Sequence, residues 1–463
     1  MKELPANWCT VNLDQLCVPT EQVEPLPDQT FIYIDISAVD RQAKRITTPQ
    51  QLLGRDAPSR ARKLVRTGDT LVSMTRPNLN AVALVSAEFD GQIASTGFDV
   101  LRTAGLEPRW IAYLVRTSAF VEAMSALVQG ALYPAVKAKD VRAFTAPLAP
   151  LREQQRIADK LDTVLARVDA CRDRLARVAP LLKRFRQSVL AAATSGLLTE
   201  DWRAELSLAD AADALPGTPY SATAMGSLLS GTRTPLKTGP FGTLLSKAEH
   251  VEQGIEVVGI ENIDRGKFVL GSKIRITPEK ALELAAYDLL PGDVIISRSG
   301  TVGEVCVVPQ GLGALRFSTN IIRVVLDEGL VSPNYFVYLF IGCSEVLRQV
   351  DDLCKGSTRA FLNQTILNAI TYPIPCREEQ NEIVQRVETL FAFADRLEAR
   401  ITQARTSVDR LTPSLLAKAF RGELVPQDPA DEPAAELLKR LQSSVAEKPL
   451  AGRPRRRAAA ASS

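Results

Sequence analysis

The sequence predicts an α+β fold built twice: two globular α+β domains separated by two long helices that pair as an antiparallel coiled coil. The prediction rests on one helix that occurs twice, on the heptad spacing inside it, and on matched strand signals ahead of each copy. Glu153-Gln154-Gln155-Arg156-Ile157 recurs as Glu379-Gln380-Asn381-Glu382-Ile383, a shift of 379 − 153 = 226. The same shift carries Ser188-Val189-Leu190-Ala191 onto Ser414-Leu415-Leu416-Ala417 without a gap. The chain is therefore a tandem duplication of the form domain–helix–domain–helix.

In the first copy Ile157, Leu161, Val164, Val168, Cys171, Leu175, Val178, Leu182, Phe185 and Val189 alternate in steps of four and three. Adding 226 gives Ile383, Val387, Leu390, Ala394, Leu397, Ile401, Ala404, Val408, Leu411 and Leu415, again all apolar. Such a narrow seam wants another helix as its partner. A helix packed on its own domain has a broader apolar stripe. The antiparallel direction is chosen because it sets the two domains at opposite ends of a rod of about 60 Å. Pro150 and Pro375 precede acidic first turns, which suit the positive end of a helix dipole. Gly196 and Gly422 stand where a C-cap glycine belongs. Pro180 and Pro413 predict a kink or break in each helix.

Ahead of each helix, strand-like runs align at nearly the same spacing. Ile32–Ile36 matches Glu256–Ile260, and Gly68-Asp69-Thr70-Leu71-Val72-Ser73 matches Gly292-Asp293-Val294-Ile295-Ile296-Ser297. Helical patterns follow over 108–127 and 333–350. Strands first and helices later read as α+β. The expected organisation is a first domain over 1–147, a first long helix region over 148–202, and a linker over 203–224. A second domain spans 225–372 and a second long helix region 373–427; 428–463 form a flexible basic tail.

Composition excludes several classes. With 463 residues and a formal net charge of +3, nucleic-acid binding must come from local patches. The single histidine, His250, lies between Glu249 and Glu252 with no triad motif around it. The seven cysteines form no C-x-x-C pair. Gly239-Pro240-Phe241-Gly242-Thr243 lacks the Gly-Lys-Ser/Thr of a P-loop, and no dinucleotide or amino-methyltransferase motif is visible. No stretch is long enough to span a membrane, and no signal-like run opens the chain, so a cytoplasmic protein without catalytic, cofactor or metal residues of its own is expected.

Candidate contact residues lie in loops bearing small, polar and basic side chains. Arg298, Ser299 and Thr301 follow a strand, in a turn where an arginine can reach a guanine edge or a phosphate. The corresponding first-half loop carries Arg76, Asn78 and Asn80. Lys237 and Thr238 lie on a third loop, and Lys355 and Arg359 on a fourth that runs on to Asn363; Tyr133 and Lys137 stand in its first-half counterpart. For any one of them an ordinary solvated loop residue is the competing reading.

Taken together these segments resemble the specificity (S) subunit of type I restriction-modification systems. The second half carries the resemblance: Gly239–Thr243, Gly292–Gly300, Gly356-Ser357-Thr358-Arg359-Ala360-Phe361-Leu362-Asn363-Gln364, then Tyr372-Pro373-Ile374-Pro375 leading into Arg377-Glu378-Glu379-Gln380. The first half departs, with Met74-Thr75-Arg76 for Arg298-Ser299-Gly300 and Leu132-Tyr133-Pro134-Ala135-Val136-Lys137 where the second half has Phe361-Leu362-Asn363-Gln364. The resemblance implies two target recognition domains, each reading one half of a split double-stranded DNA site in a bacterial defence system. It implies helices that set the spacer and dock two methyltransferase (M) subunits. Restriction (R) subunits would join them, with S-adenosylmethionine, ATP and Mg on those partners. Two alternatives compete: a fused enzyme, for which no catalytic motif is visible, and a stand-alone DNA-binding or coiled-coil scaffold protein.

Overall fold

The computed structural model of the chain describes residues 4–128, 134–206, 214–240, 244–354 and 361–446. It divides into two compact units, Met1–Leu175 with Gln403–Ser463, and Ala176–Thr402. Each contains an α+β domain and one segment of each long helix.

In the first unit, one sheet has the order Gln50–Leu53, Thr30–Ile34, Ile93–Ser95, Ala61–Leu64, and a second the order Cys17–Val18, Phe98–Thr103, Thr70–Ser73, Val82–Leu84. A short pair, Cys9–Asn12 with Thr145–Leu148, runs directly into the first long helix. The second unit repeats all three: Ile274–Ile276, Ile255–Val258, Leu315–Phe317, Asp288–Leu289; Leu236–Thr238, Ile321–Val324, Val294–Ser297, Val305–Val307; and Ser221–Ala224 with Thr371–Ile374. The central strands Thr70–Ser73 and Val294–Ser297 are buried along their whole length, their polar Thr70, Ser73 and Ser297 included.

The Gly-Asp turn before these two strands works alike in both units. Gly68 and Gly292 take φ of +88° and +89°, a conformation that glycine adopts without strain. The following carboxylate then accepts from the backbone N–H three residues back, Arg66 onto Asp69 and Leu290 onto Asp293, each at 2.8 Å. Arg102 clasps Asp69 with two bonds of 2.9 and 2.8 Å, and Arg233 pairs with Asp293.

The expected helices over 108–127 and 333–350 are each two helices, Pro108–Leu114 with Ser118–Ala126 and Pro333–Gly342 with Ser344–Cys354. In the first pair Thr117 ends one helix and caps the next by accepting from Phe120 N–H.

The long helices span Leu151–Thr194 and Arg377–Ala419. They run antiparallel in both units. In the first, Arg405 meets the Leu175 carbonyl at 2.8 Å while Arg172 meets Asp409 at 3.2 Å. In the second, Arg186 pairs with Asp395 and Glu398 at 2.6 and 2.8 Å, and Arg386 donates to the Leu198 carbonyl at 2.8 Å. Seam residues Ile157, Leu161, Val168, Leu182, Ile383 and Val387 are buried; Val164, Leu175, Leu390, Leu397, Ile401 and Val408 are half-buried. Cys171 and Leu411, placed on the seam by spacing, are exposed. Burial is deepest where a domain core adds a second wall, as at Ile157 and Leu161 in the first unit and Ile383 and Val387 in the second.

The expected breaks at Pro180 and Pro413 do not occur; both helices continue through them. A proline removes one donor and crowds the carbonyl four residues back. The other helix makes contacts near both turns without reaching those carbonyls: Arg405 donates to the Leu175 carbonyl, and Arg172 to the side chains of Asp409 and Thr412.

The polar starts of the helices do more than complement a dipole. Glu153 and Gln154, and Glu379 and Gln380, are all buried. Gln154 accepts from Glu107 N–H at 3.2 Å and donates to the Ala149 carbonyl at 2.8 Å. Gln380 accepts from Ser332 N–H at 2.7 Å and donates to the Leu330 and Pro375 carbonyls at 2.9 Å. Glu107 and Ser332 are the N-caps of the helices at 108 and 333, so each glutamine ties a domain helix to its long helix. Glu153 accepts from Trp8 Nε1 at 2.8 Å and Gln427 at 2.5 Å. Glu379 accepts from Thr199, Arg203 and Tyr220 at 2.6, 2.6 and 2.7 Å.

Two sequence expectations are corrected here. The supposed tail from 428 contains a helix, Ala434–Ala446, whose Ala434 and Leu437 join the first domain's core while Asp431 pairs with Arg156 at 2.7 Å. The supposed linker over 203–224 ends in the strand Ser221–Ala224, and Arg203 and Tyr220 bond Glu379. Each segment following a long helix thus packs onto the start of the other; Gly196 and Gly422, at φ +81° and +72°, make the turns that permit it. Among the described residues no helix is long and apolar enough to cross a membrane.

Candidate nucleic-acid interface

In the second unit four segments converge on Arg298. Its N–H donates to the Asn320 carbonyl at 2.9 Å, and its carbonyl accepts from Leu362 N–H at 3.0 Å, so the backbone is held on both sides. Gly300 and Gly303, at φ +82° and +85°, turn the chain back, and Gly303 N–H returns to the Ser297 carbonyl at 3.0 Å. Gly239 closes the cluster: a Cβ there would stand 1.9 Å from the Ser318 carbonyl oxygen, so only glycine lets the two backbones approach. Thr319 donates to the Pro240 carbonyl at 2.6 Å.

The Arg298 guanidinium lies 4.1 Å from the Phe361 ring centroid and donates to the Thr319 carbonyl at 3.4 Å. Its Nε is buried with no hydrogen-bond partner, and no carboxylate pairs with it among the described residues. Burial alone lowers its affinity for the proton. A stacked, oriented and unneutralised guanidinium is suited to bidentate recognition of a guanine edge or a phosphate. Ser299 donates to Asn320 Oδ1 at 2.8 Å, and Thr238 accepts from Gln364 at 3.0 Å. Asn363 caps the helix Gln364–Ala369 through Ile366 N–H at 2.8 Å. Thr301 is exposed. Lys237 neighbours Thr238 on one strand, so its side chain takes the other face, 4.6 Å from the Tyr287 ring.

The first unit builds the same seat with a different side chain. Met74 N–H donates to the Gly97 carbonyl at 3.0 Å, and its carbonyl accepts from Val136 N–H at 2.9 Å. Met74 therefore occupies the place of Arg298, and packs partly against the first domain's core. Arg76 corresponds to Gly300; both have positive φ, +50° and +82°. Arg76 and Asn78 are exposed, and Arg76 N–H donates to the Pro134 carbonyl at 2.8 Å. Asn80 turns inward, donating to the Val115 carbonyl at 2.8 Å and accepting from Lys44. Lys137 is exposed at the start of the short helix Ala138–Arg142. Tyr133, Lys355 and Arg359 lie outside the described residues. Loop composition did not single out Asn320, which becomes a neighbour of Arg298 only through long-range pairing; Phe361 and Gln364 stood in the motif segment quoted above but carried no loop charge to mark them.

Comparison with known proteins agrees with this architecture. The family model of the type I restriction modification DNA specificity domain matches residues 242–404. The chain is 33% identical over 317 residues to the EcoBI type I restriction enzyme specificity subunit of Escherichia coli, covering 65% of this chain and 64% of that one. The chain thus spans slightly under two thirds of that relative's length. It is 30% identical over 354 residues to the StySPI specificity subunit of Salmonella potsdam, covering 74% and 72%. The crystal structure of the HsdS subunit from Thermoanaerobacter tengcongensis matches with a TM-score of 0.61 at 28% identity, covering 91% and 98%. A chain from a structural study of type I R-M complex assembly and conformational transition matches with 0.67 at 26%, covering 92% and 100%. Two domains of one design, two antiparallel long helices and these relatives lead to one conclusion: the chain belongs to the specificity subunits of type I restriction-modification systems.

Proposed function

We propose that this chain reads a split DNA sequence, each globular domain contacting one half-site through the loops gathered around Arg298 and Met74. The observation that carries the reading is the pair of equivalent backbone seats with different side chains: an unneutralised arginine on one, a methionine on the other. Base edges are distinguished by side-chain chemistry in the groove, so one scaffold with two sets of loops reads two sequences. The loop residues Arg76, Asn78, Tyr133, Lys137, Ser299, Thr301, Lys355 and Arg359 contribute further contacts. The paired helices fix the spacer. Their outward faces dock two methyltransferase subunits, which bring S-adenosylmethionine, and restriction subunits bring ATP and Mg chemistry. The chain itself is non-catalytic and acts in the cytoplasm.

The test is genome-wide adenine methylation read by single-molecule sequencing, with the chain co-expressed beside its methyltransferase partner and again without it. The reading expects a split motif that appears only when the chain is present. The same methylation in its absence would remove its role as specificity determinant.

A further inference from the structure

Asn80, at the end of the loop 76–80 of the first domain, holds Lys44, which lines a cavity of about 110 Å³ together with Arg109, Tyr113, Arg116, Asp162 and strand residues 82–84. A water's share of liquid volume is about 30 Å³, so the space accommodates a group larger than one water. Its carboxylates gather on one of its three cations. Asp162 is engaged by Arg109 and by the Tyr113 hydroxyl, and Arg109 is held further by Glu107 and Asp159 at 2.8 and 2.9 Å. Asp169 pairs with Arg172 at 3.0 Å. Asp40, the acid nearest Lys44 in sequence, accepts from Gln42 and Ala43 N–H within its own turn.

Among the described residues neither Lys44 nor Arg116 has a carboxylate in direct contact, although Asp169 and Asp162 act on Arg116, and Asp40 on Lys44, from farther off. Among the described residues Lys44 Nζ donates to the neutral Asn80 alone, to its carbonyl at 2.5 Å and its Oδ1 at 2.8 Å. Arg116 lies 5.1 Å from the Tyr113 ring centroid, and its Nε is buried without a hydrogen-bond partner. A half-buried cation without an ion-pair partner is costly, and two of them lining one cavity can receive an anion. The second domain fills the corresponding place differently. There the hairpin Ile263–Phe268 sends Lys267 to Asp395 at 3.1 Å, and Ile341 stands 3.1 Å from where a Cβ on Gly266 would be. Ile341 is the counterpart of Arg116, at a shift of 225.

We propose that this cavity is a phosphate-binding subsite of the first domain, in which Lys44 and Arg116 hold the oxyanion and Asn80 couples its occupancy to the loop 76–80. Two sources offer that chemistry, a backbone phosphate of bound DNA and free inorganic phosphate. The DNA source rests on the function proposed above; the inorganic one does not. Desolvation, and then the charge of Arg116, push the Lys44 ammonium down to about 8. A bound anion opposes that shift and raises it. Because the protonated amine does the binding, affinity falls as pH rises through about 8.

The test follows the Lys44 signal in the full-length chain carrying ¹³C-methylated lysines, titrated with pH in the presence of inorganic phosphate. A parallel titration uses a duplex oligonucleotide bearing the motif found by methylation sequencing, with the methyltransferase partner present. The proposal expects one or both ligands to raise the Lys44 pKa, the effect to vanish in Arg116→Gln, and Arg116→Lys to restore part of it. If DNA is the source, Lys44→Gln makes the dependence of log K on log salt shallower by about one, the release expected for one phosphate contact. A Lys44 signal that moves with neither ligand, or moves equally in Arg116→Gln, overturns the subsite. Failure of the wild-type chain to bind the oligonucleotide counts against the DNA reading instead, and the phosphate titration still decides the subsite.

Discussion

The starts of the two long helices are nearly copies, whereas the loops carried by the two domains are not. Gln154 and Gln380 are buried to the same degree and bridge the same elements, a helix N-cap on one side and the end of the preceding strand segment on the other. Met74 and Arg298 share a backbone seat, yet one packs partly into a core and the other presents a charged plane over Phe361. A buried amide with satisfied partners is expensive to change, because every partner it abandons is left unpaired. A loop side chain facing solvent carries no such constraint. Duplication followed by divergence has therefore kept the frame and varied the surface. Glu153 and Glu379 fall between the two cases: the carboxylate stays while its donors change, Trp8 and Gln427 on one side, Thr199, Arg203 and Tyr220 on the other.

The frame is the sharper half of that comparison, and breaking it should have the largest effect. Gln380→Leu strands Ser332 N–H and the Leu330 and Pro375 carbonyls, and is expected to destabilise the second unit by about 3 kcal/mol. Gln154→Leu abandons two contacts rather than three and should destabilise the first by about 2 kcal/mol. Hydrogen exchange at the helices Pro333–Gly342 and Pro108–Leu114 checks both. Protection lost in the domain not mutated would show that the two frames are not separate.

The surface half predicts a smaller and one-sided effect. Arg298→Ala should weaken binding of one half-site by roughly 1–3 kcal/mol and leave the other unchanged. Arg298→Lys should rescue little, since an ammonium lacks the planar fork that stacks on Phe361. Binding to oligonucleotides mismatched in one half at a time measures this. Equal losses in both halves would deny Arg298 its assignment.

The smallest effect concerns thiols. Burial pushes Cys17 and Cys306 up to about 12, whereas Cys171 and Cys376 are exposed. Alkylation of the native chain at pH 8, mapped by mass spectrometry, should therefore mark Cys171 and Cys376 first. Early modification of Cys306 would contradict its buried place in the strand Val305–Val307.

The helices were the most legible part of the sequence, because a heptad repeat states both the element and its partner. Their continuity was not legible: Pro180 and Pro413 each remove a helical donor, yet both helices run on through them. The helix Ala434–Ala446 was read as tail because its neighbours in sequence are polar and small, although Ala434 and Leu437 supply an apolar side that the first domain's core accepts. At the candidate interface the loops were found by composition, but the pairing across them was not. The sequence alignment already set Met74 against Arg298 and Arg76 against Gly300, with Arg76 expected to play a similar part in its loop. What folding adds is the shared seat, set for Met74 by hydrogen bonds to Gly97 and Val136 that lie far away in sequence. Lys44 and Arg116 carried no motif at all, and only folding sets them around one cavity.

The central claim is that the two domains are independent readers on equivalent frames. Its most direct test replaces residues 1–147 with a second copy of 225–372, co-expresses the hybrid with the methyltransferase partner, and maps adenine methylation by single-molecule sequencing. The account predicts a motif whose two halves are both the half-site of the second domain. Persistence of the original first half-site in that motif would contradict it.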